Sequence, residues 1–169
     1  MSDKLRKQVD VERQQLNRLI DEHRSLLDSC ASNAPTPIEL SALATFLHSF
    51  YSGIENSLKR IATEIDGGVP SGDAWHRQLL RGMTSSTNLR PPVLSNSLYQ
   101  TLSEYLAFQH FFRQAYSFHF DWYKMSDLVS MLNGRCDRSK QKWIDFLILY
   151  RRNRRNKQNH IFAASFRRY

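Results

Sequence analysis

Between Gln109 and His119 the chain gathers two histidines, an arginine, two glutamines and a tyrosine: Gln109, His110, Arg113, Gln114, Tyr116 and His119. An arginine fork binds phosphate oxygens in pairs, and histidine is the side chain that exchanges protons near neutral pH. On an ideal helix Gln109, Arg113 and Tyr116 share a face, because they lie four and three residues apart. His110 and His119 then fall to either side of that face. A second concentration of charge lies at the C-terminus, where residues 151–169 hold seven Lys or Arg and no acid. Arg151, Arg152, Arg154, Arg155 and Lys157 form its densest run. Such a run suits RNA phosphates and sequence-independent, salt-sensitive binding, or equally a solvated terminus.

Other chemistries are poorly supplied. Cys30 and Cys136 are isolated, with no CxxC pair and no histidine at zinc-finger spacing, so they read as free thiols of a reducing compartment. No pair of histidines or acids has metal-site spacing, and neither a Gly-rich phosphate loop nor a nucleophile elbow is present. No metal or cofactor is therefore expected. His48 and His76 stand alone in sequence and read as satisfied polar residues rather than ligands. Trp75 reads as an anchor for the segment after a Gly-rich turn.

The 169 residues are enough for one domain with its own core. Hydrophobic content of 41% and aromatic content of 12% fit a folded rather than a disordered chain. The net charge of +8 is mostly the tail's, since the rest of the chain sets 17 basic residues against 16 acids. The polar N-terminus lacks a signal-peptide core, and no apolar run reaches the roughly 18 residues that span a bilayer. A cytoplasmic protein with no membrane partner is the expectation.

The elements that must position these groups are helical. Leu5, Val9, Leu16, Leu19, Ile20, Leu26 and Leu27 mark a first helix over about Lys4 to Ser29. Thr36, Pro37 and Glu39 make the cap, first turn and capping-box acid of a second. Its stripe, Leu40, Leu43, Leu47, Phe50, Ile54, Leu58 and Ile61, is the clearest periodicity in the chain. Asp66 to Gly72 is a turn, followed by a short helix over Asp73 to Met83. Ser95 or Asn96 caps a fourth helix that continues to Tyr116 or Phe118. A last helix runs from near Lys124 to at least Tyr150, with Gly134 its weak point. Tyr105, Phe108, Phe111, Phe112 and Phe118 read as core or dimer packing. The fold class is all-α, a four- to five-helix, mostly antiparallel bundle over residues 1–149, with a basic tail over 150–169.

Two stretches carry a resemblance. One runs from Leu47 through Glu55 and Asn56 to Ile61 and continues in Asp66-Gly67-Gly68-Val69-Pro70-Ser71-Gly72-Asp73-Ala74-Trp75-His76. The other is Arg90-Pro91-Pro92-Val93-Leu94-Ser95, leading into Glu104 through Tyr116. Over about residues 5 to 149 the chain resembles the HepT-like branch of the HEPN superfamily. The resemblance implies a helical bundle that dimerises, with a cleft between protomers. It also implies a metal-independent ribonuclease toxin partnered by a minimal nucleotidyltransferase antitoxin (MNT), which silences the toxin by adding AMP to a tyrosine.

The family signature is R-x4-H-x-Y, and it falls here on Gln109, Gln114 and Tyr116. The tyrosine, the modification candidate, is kept, while both catalytic types are replaced. Glutamine cannot act as a general acid or base, and loss of such a histidine removes about 100- to 10,000-fold in rate. The resemblance thus points to a toxin-family component that binds RNA, the nucleotidyltransferase, or both, with weak or absent cleavage. A second reading keeps the ribonuclease, with Arg113 paired to His119, five residues intervening, or to His110. A third is a dimeric scaffold without enzymatic role. Glu55 and Asn56 lie where the family often keeps polar residues facing the cleft, and Lys59 and Arg60 follow them.

Overall fold

The computed structural model describes residues 3–116 and 119–132. These residues form helices α1 (Asp3–Glu22), α2 (Arg24–Cys30), α3 (Pro37–Ile61), α4 (Trp75–Gly82), α5 (Asn96–Phe112) and α6 (Trp122–Leu132). No strand occurs among them, and the fold is all-α. The tail residues Arg151, Arg152, Arg154, Arg155 and Lys157, together with Phe118, Gly134, Cys136 and Tyr150, lie outside the described residues.

Helix α3 is the axis, touching each of the other five helices. The Thr36 hydroxyl accepts from the Glu39 N–H, and the Glu39 carboxylate accepts from the Thr36 N–H at 2.8 Å, completing the capping box. Leu43, Leu47, Phe50, Ile54, Leu58 and Ile61 are buried, as their spacing predicts. Each such side chain contributes roughly 1.5–3 kcal/mol by leaving water. Helix α1 runs antiparallel to α3. Lys4 pairs with Glu64, Glu12 with Arg60, and His23 packs on Phe46, so rising numbers on one helix meet falling numbers on the other. They meet tightly at Gly53, where a Cβ would stand 2.8 Å from Leu16 Cδ2.

Three boundaries depart from the periodicity. The first arm is divided at His23, whose ring Nδ1–H donates to the Leu19 carbonyl at 2.9 Å. The backbone N–H of His23 reaches the same carbonyl at a longer 3.3 Å, and the competition breaks the helical repeat there. Helix α3 runs into a π turn over Ala62–Asp66, which the left-handed Gly67 (φ 88°) terminates. Helix α5 stops at Phe112, short of Tyr116. There the Gln114 and Ala115 N–H groups both bond to the Phe111 carbonyl, and the chain turns back so that Phe120 stacks on Phe112 at 5.7 Å. Helix α6 begins at Trp122 and is described to Leu132. The buried Tyr105 hydroxyl of α5 donates to the α6 carbonyl of Leu128 at 2.7 Å, locking those two helices together.

Candidate functional site

Along α3, His48, Ser52 and Glu55 are spaced by four and three residues, so they form one polar stripe beside the apolar one. Helix α5 lays its own polar groups against it. Gln109 is 4% exposed and donates its amide to the Ser52 hydroxyl at 3.2 Å, and Ser52 donates in turn to the His48 carbonyl. The Gln109 carbonyl oxygen is buried without a hydrogen-bond partner. His48 stacks on Phe112 with ring centroids 4.6 Å apart. Burial first, and then the charge of Arg113, hold the His48 imidazole below its usual range.

Helix α4 brings a third group. Gly72 adopts φ 86°, a left-handed conformation open to glycine, and its carbonyl accepts from the Trp75 N–H at 3.1 Å. The chain thereby swings from the end of α3 into α4 and back across Glu55. His76 lands on Glu55, its Nδ1 donating to the carboxylate. Both partners are buried, at 9% and 6% exposure. A carboxylate can only accept from the ring, so Nδ1 carries a proton and Nε2 is left for exchange with a ligand. Trp75 covers the ring, with centroids 3.6 Å apart, and Lys59 sits over Trp75 at 5.6 Å.

His110, in the last turn of α5, meets His76 edge to face with ring centroids 5.3 Å apart. With Trp75, Arg113, Gln114 and the Gly72–Asp73 turn, the two histidines line one open pocket of about 460 Å³. Burial lowers the His110 pKa, and the positive charges of His76 and Arg113 lower it further. The pocket therefore offers an exposed cation for an anion, an imidazole inclined to be neutral, and a second imidazole held by a buried carboxylate.

A buried ion pair holds α4 in this place. The Arg90 guanidinium is 4% exposed and grips Asp66 through Nε at 2.9 Å and Nη2 at 2.7 Å. It also donates to the carbonyls of Gly82 and Ser85, so it ties the π turn to the exit of α4.

The sequence-derived candidates are distributed unevenly around this pocket. Arg113, His110 and Gln114 line it, and Glu55 reaches it through His76. Gln109 is turned into the α3–α5 interface. His119 does not line the pocket; its ring lies 6.1 Å from that of Tyr116, which is 70% exposed. Because α5 ends at Phe112, the face shared by Gln109, Arg113 and Tyr116 on an ideal helix does not extend to Tyr116. Asn56 lines the grooves along α1 instead, and Arg60 pairs with Glu12 at 2.8 Å. His76 is not the solitary polar residue its sequence context indicates, since Glu55 and His110 both touch it. The available signal was the turn-rich stretch just before it, which obliges α4 to fold back over α3. Cys30 is buried, which raises its thiol pKa. Among the described residues no group of three or more His, Cys, Asp or Glu is arranged to hold a metal ion, and no helix is long and apolar enough to cross a membrane.

A helical bundle with a central α3, a folded-back α4 and a polar groove at the end of α5 defines an all-α domain. A family model described as HepT-like protein matches residues 42–148, from the first turns of α3 to a point past the last described residue. The chain belongs to the HepT-like family. No curated protein and no solved structure gives a significant match.

Proposed function

We propose that the chain is the toxin-side member of a HepT-like toxin–nucleotidyltransferase pair and a metal-independent endoribonuclease, with Arg113 and His110 in place of the altered signature positions. The observation that carries this reading is their convergence on one pocket, while Gln109 lies buried between helices. Arg113 seats the scissile phosphate and offsets charge that develops on its oxygens. His110, inclined to be neutral, takes the proton of the attacking 2′-hydroxyl. His110 fits this task better than His119, which lies away from the pocket. The chain acts as a homodimer in the cytoplasm, with the basic tail adding affinity for RNA phosphates. The nucleotidyltransferase antitoxin silences it at Tyr116, whose exposure suits a modification target.

One observation favours a second reading, a component that binds RNA or the antitoxin without cutting. Glutamines occupy both signature positions, Gln109 and Gln114, so the family's usual chemistry is missing. Incubation of the purified protein with total tRNA and messenger RNA in EDTA separates the two. Cleavage that disappears in Arg113→Ala and His110→Ala supports the ribonuclease. Binding without cleavage supports the second reading. Co-purification with a nucleotidyltransferase, and a mass gain of one AMP on Tyr116, test the pairing.

A further inference from the structure

The established chemistry of a phosphodiester transfer needs two proton movements, one at the nucleophile and one at the leaving group. Arg113 and His110 account for the phosphate and for one proton. His76 is unused by that assignment, yet it is a titratable side chain held in the same pocket by a buried carboxylate, with its ring 5.3 Å from that of His110. A buried Glu55 with no role beyond packing is a poor choice for a core, because a desolvated carboxylate needs a partner. Its contact with Nδ1 fixes the tautomer, orients the ring and balances the positive charge of the protonated imidazole, as the carboxylate of a hydrolytic triad does.

We propose that His76 is the general acid of RNA cleavage, positioned by Glu55 and acting beside His110 on a phosphate seated on Arg113. This rests on the ribonuclease reading above and deepens it. In the step, His110 removes the proton from the 2′-hydroxyl, and the 2′-oxygen forms a bond to phosphorus. The bond from phosphorus to the 5′-oxygen breaks, and His76 Nε2–H gives its proton to that oxygen. The products are a 2′,3′-cyclic phosphate and a 5′-hydroxyl, with one proton gained by His110 and one lost by His76. Exchange with water restores both rings. The charged and titratable groups facing this pair are Glu55 on α3, Arg77 on α4 and Arg113 after α5, with Asp73 on the pocket rim.

The test uses two substrates. An RNA oligonucleotide has an alkoxide leaving group that needs a proton, whereas uridine 3′-(4-nitrophenyl phosphate) releases a stable nitrophenolate that does not. His76→Ala is expected to slow RNA cleavage by about 100-fold or more and to leave nitrophenyl turnover within about threefold of wild type. His110→Ala is expected to abolish both. Glu55→Gln is expected to slow RNA cleavage, with nitrophenyl turnover kept. Retained nitrophenyl turnover also shows that the pocket is folded; if His76→Ala does not fold, the neutral pair Glu55→Gln/His76→Gln takes its place. Equal losses on both substrates, or no loss on either, overturn the role of His76. If RNA cleavage depends on Arg113 and His110 but not on His76, the ribonuclease reading stands and this one falls. If wild type cuts neither substrate, the ribonuclease reading fails and takes this one with it.

Discussion

Arg90 and Asp66 form a two-pronged ion pair, 2.9 and 2.7 Å, between the loop leading to α5 and the π turn that ends α3. The guanidinium is nearly out of contact with water, and its remaining donors reach backbone carbonyls around the end of α4. The pair therefore does more than join two loops. It sets where α4 leaves the bundle, and so where His76 meets Glu55.

Removing one partner of such a pair strands the other charge in a dry site. Arg90→Ala is expected to lower stability by about 3 kcal/mol, and Asp66→Asn by a similar or smaller amount because Asp66 is less buried. Urea denaturation followed by far-UV circular dichroism measures both. A loss below about 0.5 kcal/mol for Arg90→Ala would place the pair among ordinary surface contacts.

Gln109 gives a test of which residues form the site. Because it is buried and its carbonyl oxygen has no partner, Gln109→Met is expected to change stability by less than about 1 kcal/mol. Gln109→Arg forces a guanidinium between α3 and α5 and is expected to destabilise by about 2 kcal/mol or more. It should not raise ribonuclease activity. A gain of cleavage in Gln109→Arg, alone or with Gln114→His, would show that the signature face is open to substrate after all.

The α1–α3 contact is set by the missing side chain of Gly53. Gly53→Ala puts a methyl 2.8 Å from Leu16 Cδ2, and the expected loss is about 1–2 kcal/mol. Trimming the opposing side chain should relieve the clash, so Leu16→Ala and Gly53→Ala are expected to be non-additive in a double-mutant cycle. Additive losses would mean that the helices do not meet at this point.

Two histidines make stability depend on pH in the same direction. His48 and His110 both have pKa values lowered by burial first and by nearby positive charge second. The unfolded chain therefore takes up their protons at a higher pH than the folded chain does. Their contribution is fully present above the unfolded value near 6.5 and is lost as the pH falls through the lowered folded values. Melting temperature is expected to fall between about pH 7 and pH 5, and to fall less in His48→Gln. A His48→Gln protein with the same pH slope as wild type would remove His48 from this account.

Much of the frame is legible in the sequence because the signals are local. Thr36, Pro37 and Glu39 announce the start of α3, and its three-and-four spacing predicts which side chains are buried. Ser95 caps α5, its hydroxyl accepting from the Leu98 N–H. The proximity of His110 and Arg113 also follows from helical spacing alone. His76 does not, because its partner Glu55 is 21 residues away and the meeting depends on how the Gly67–Gly72 turn is folded. The early end of α5 was equally hidden: Arg113 to Tyr116 includes no Gly or Pro, and the stop comes from Phe120 stacking back on Phe112. Sequence periodicity extends a helix until a local breaker appears, whereas here the tertiary contact decides.

The most direct test of the central claim compares an RNA oligonucleotide with its fully 2′-O-methylated copy, both incubated with the purified protein in EDTA. The RNA is expected to be cut to products ending in 2′,3′-cyclic phosphate, the methylated copy to stay intact, and Arg113→Ala to cut neither. An uncut RNA under conditions where the protein binds it, or equal cutting of both strands, contradicts the assignment of the Arg113–His110 pocket as a ribonuclease site.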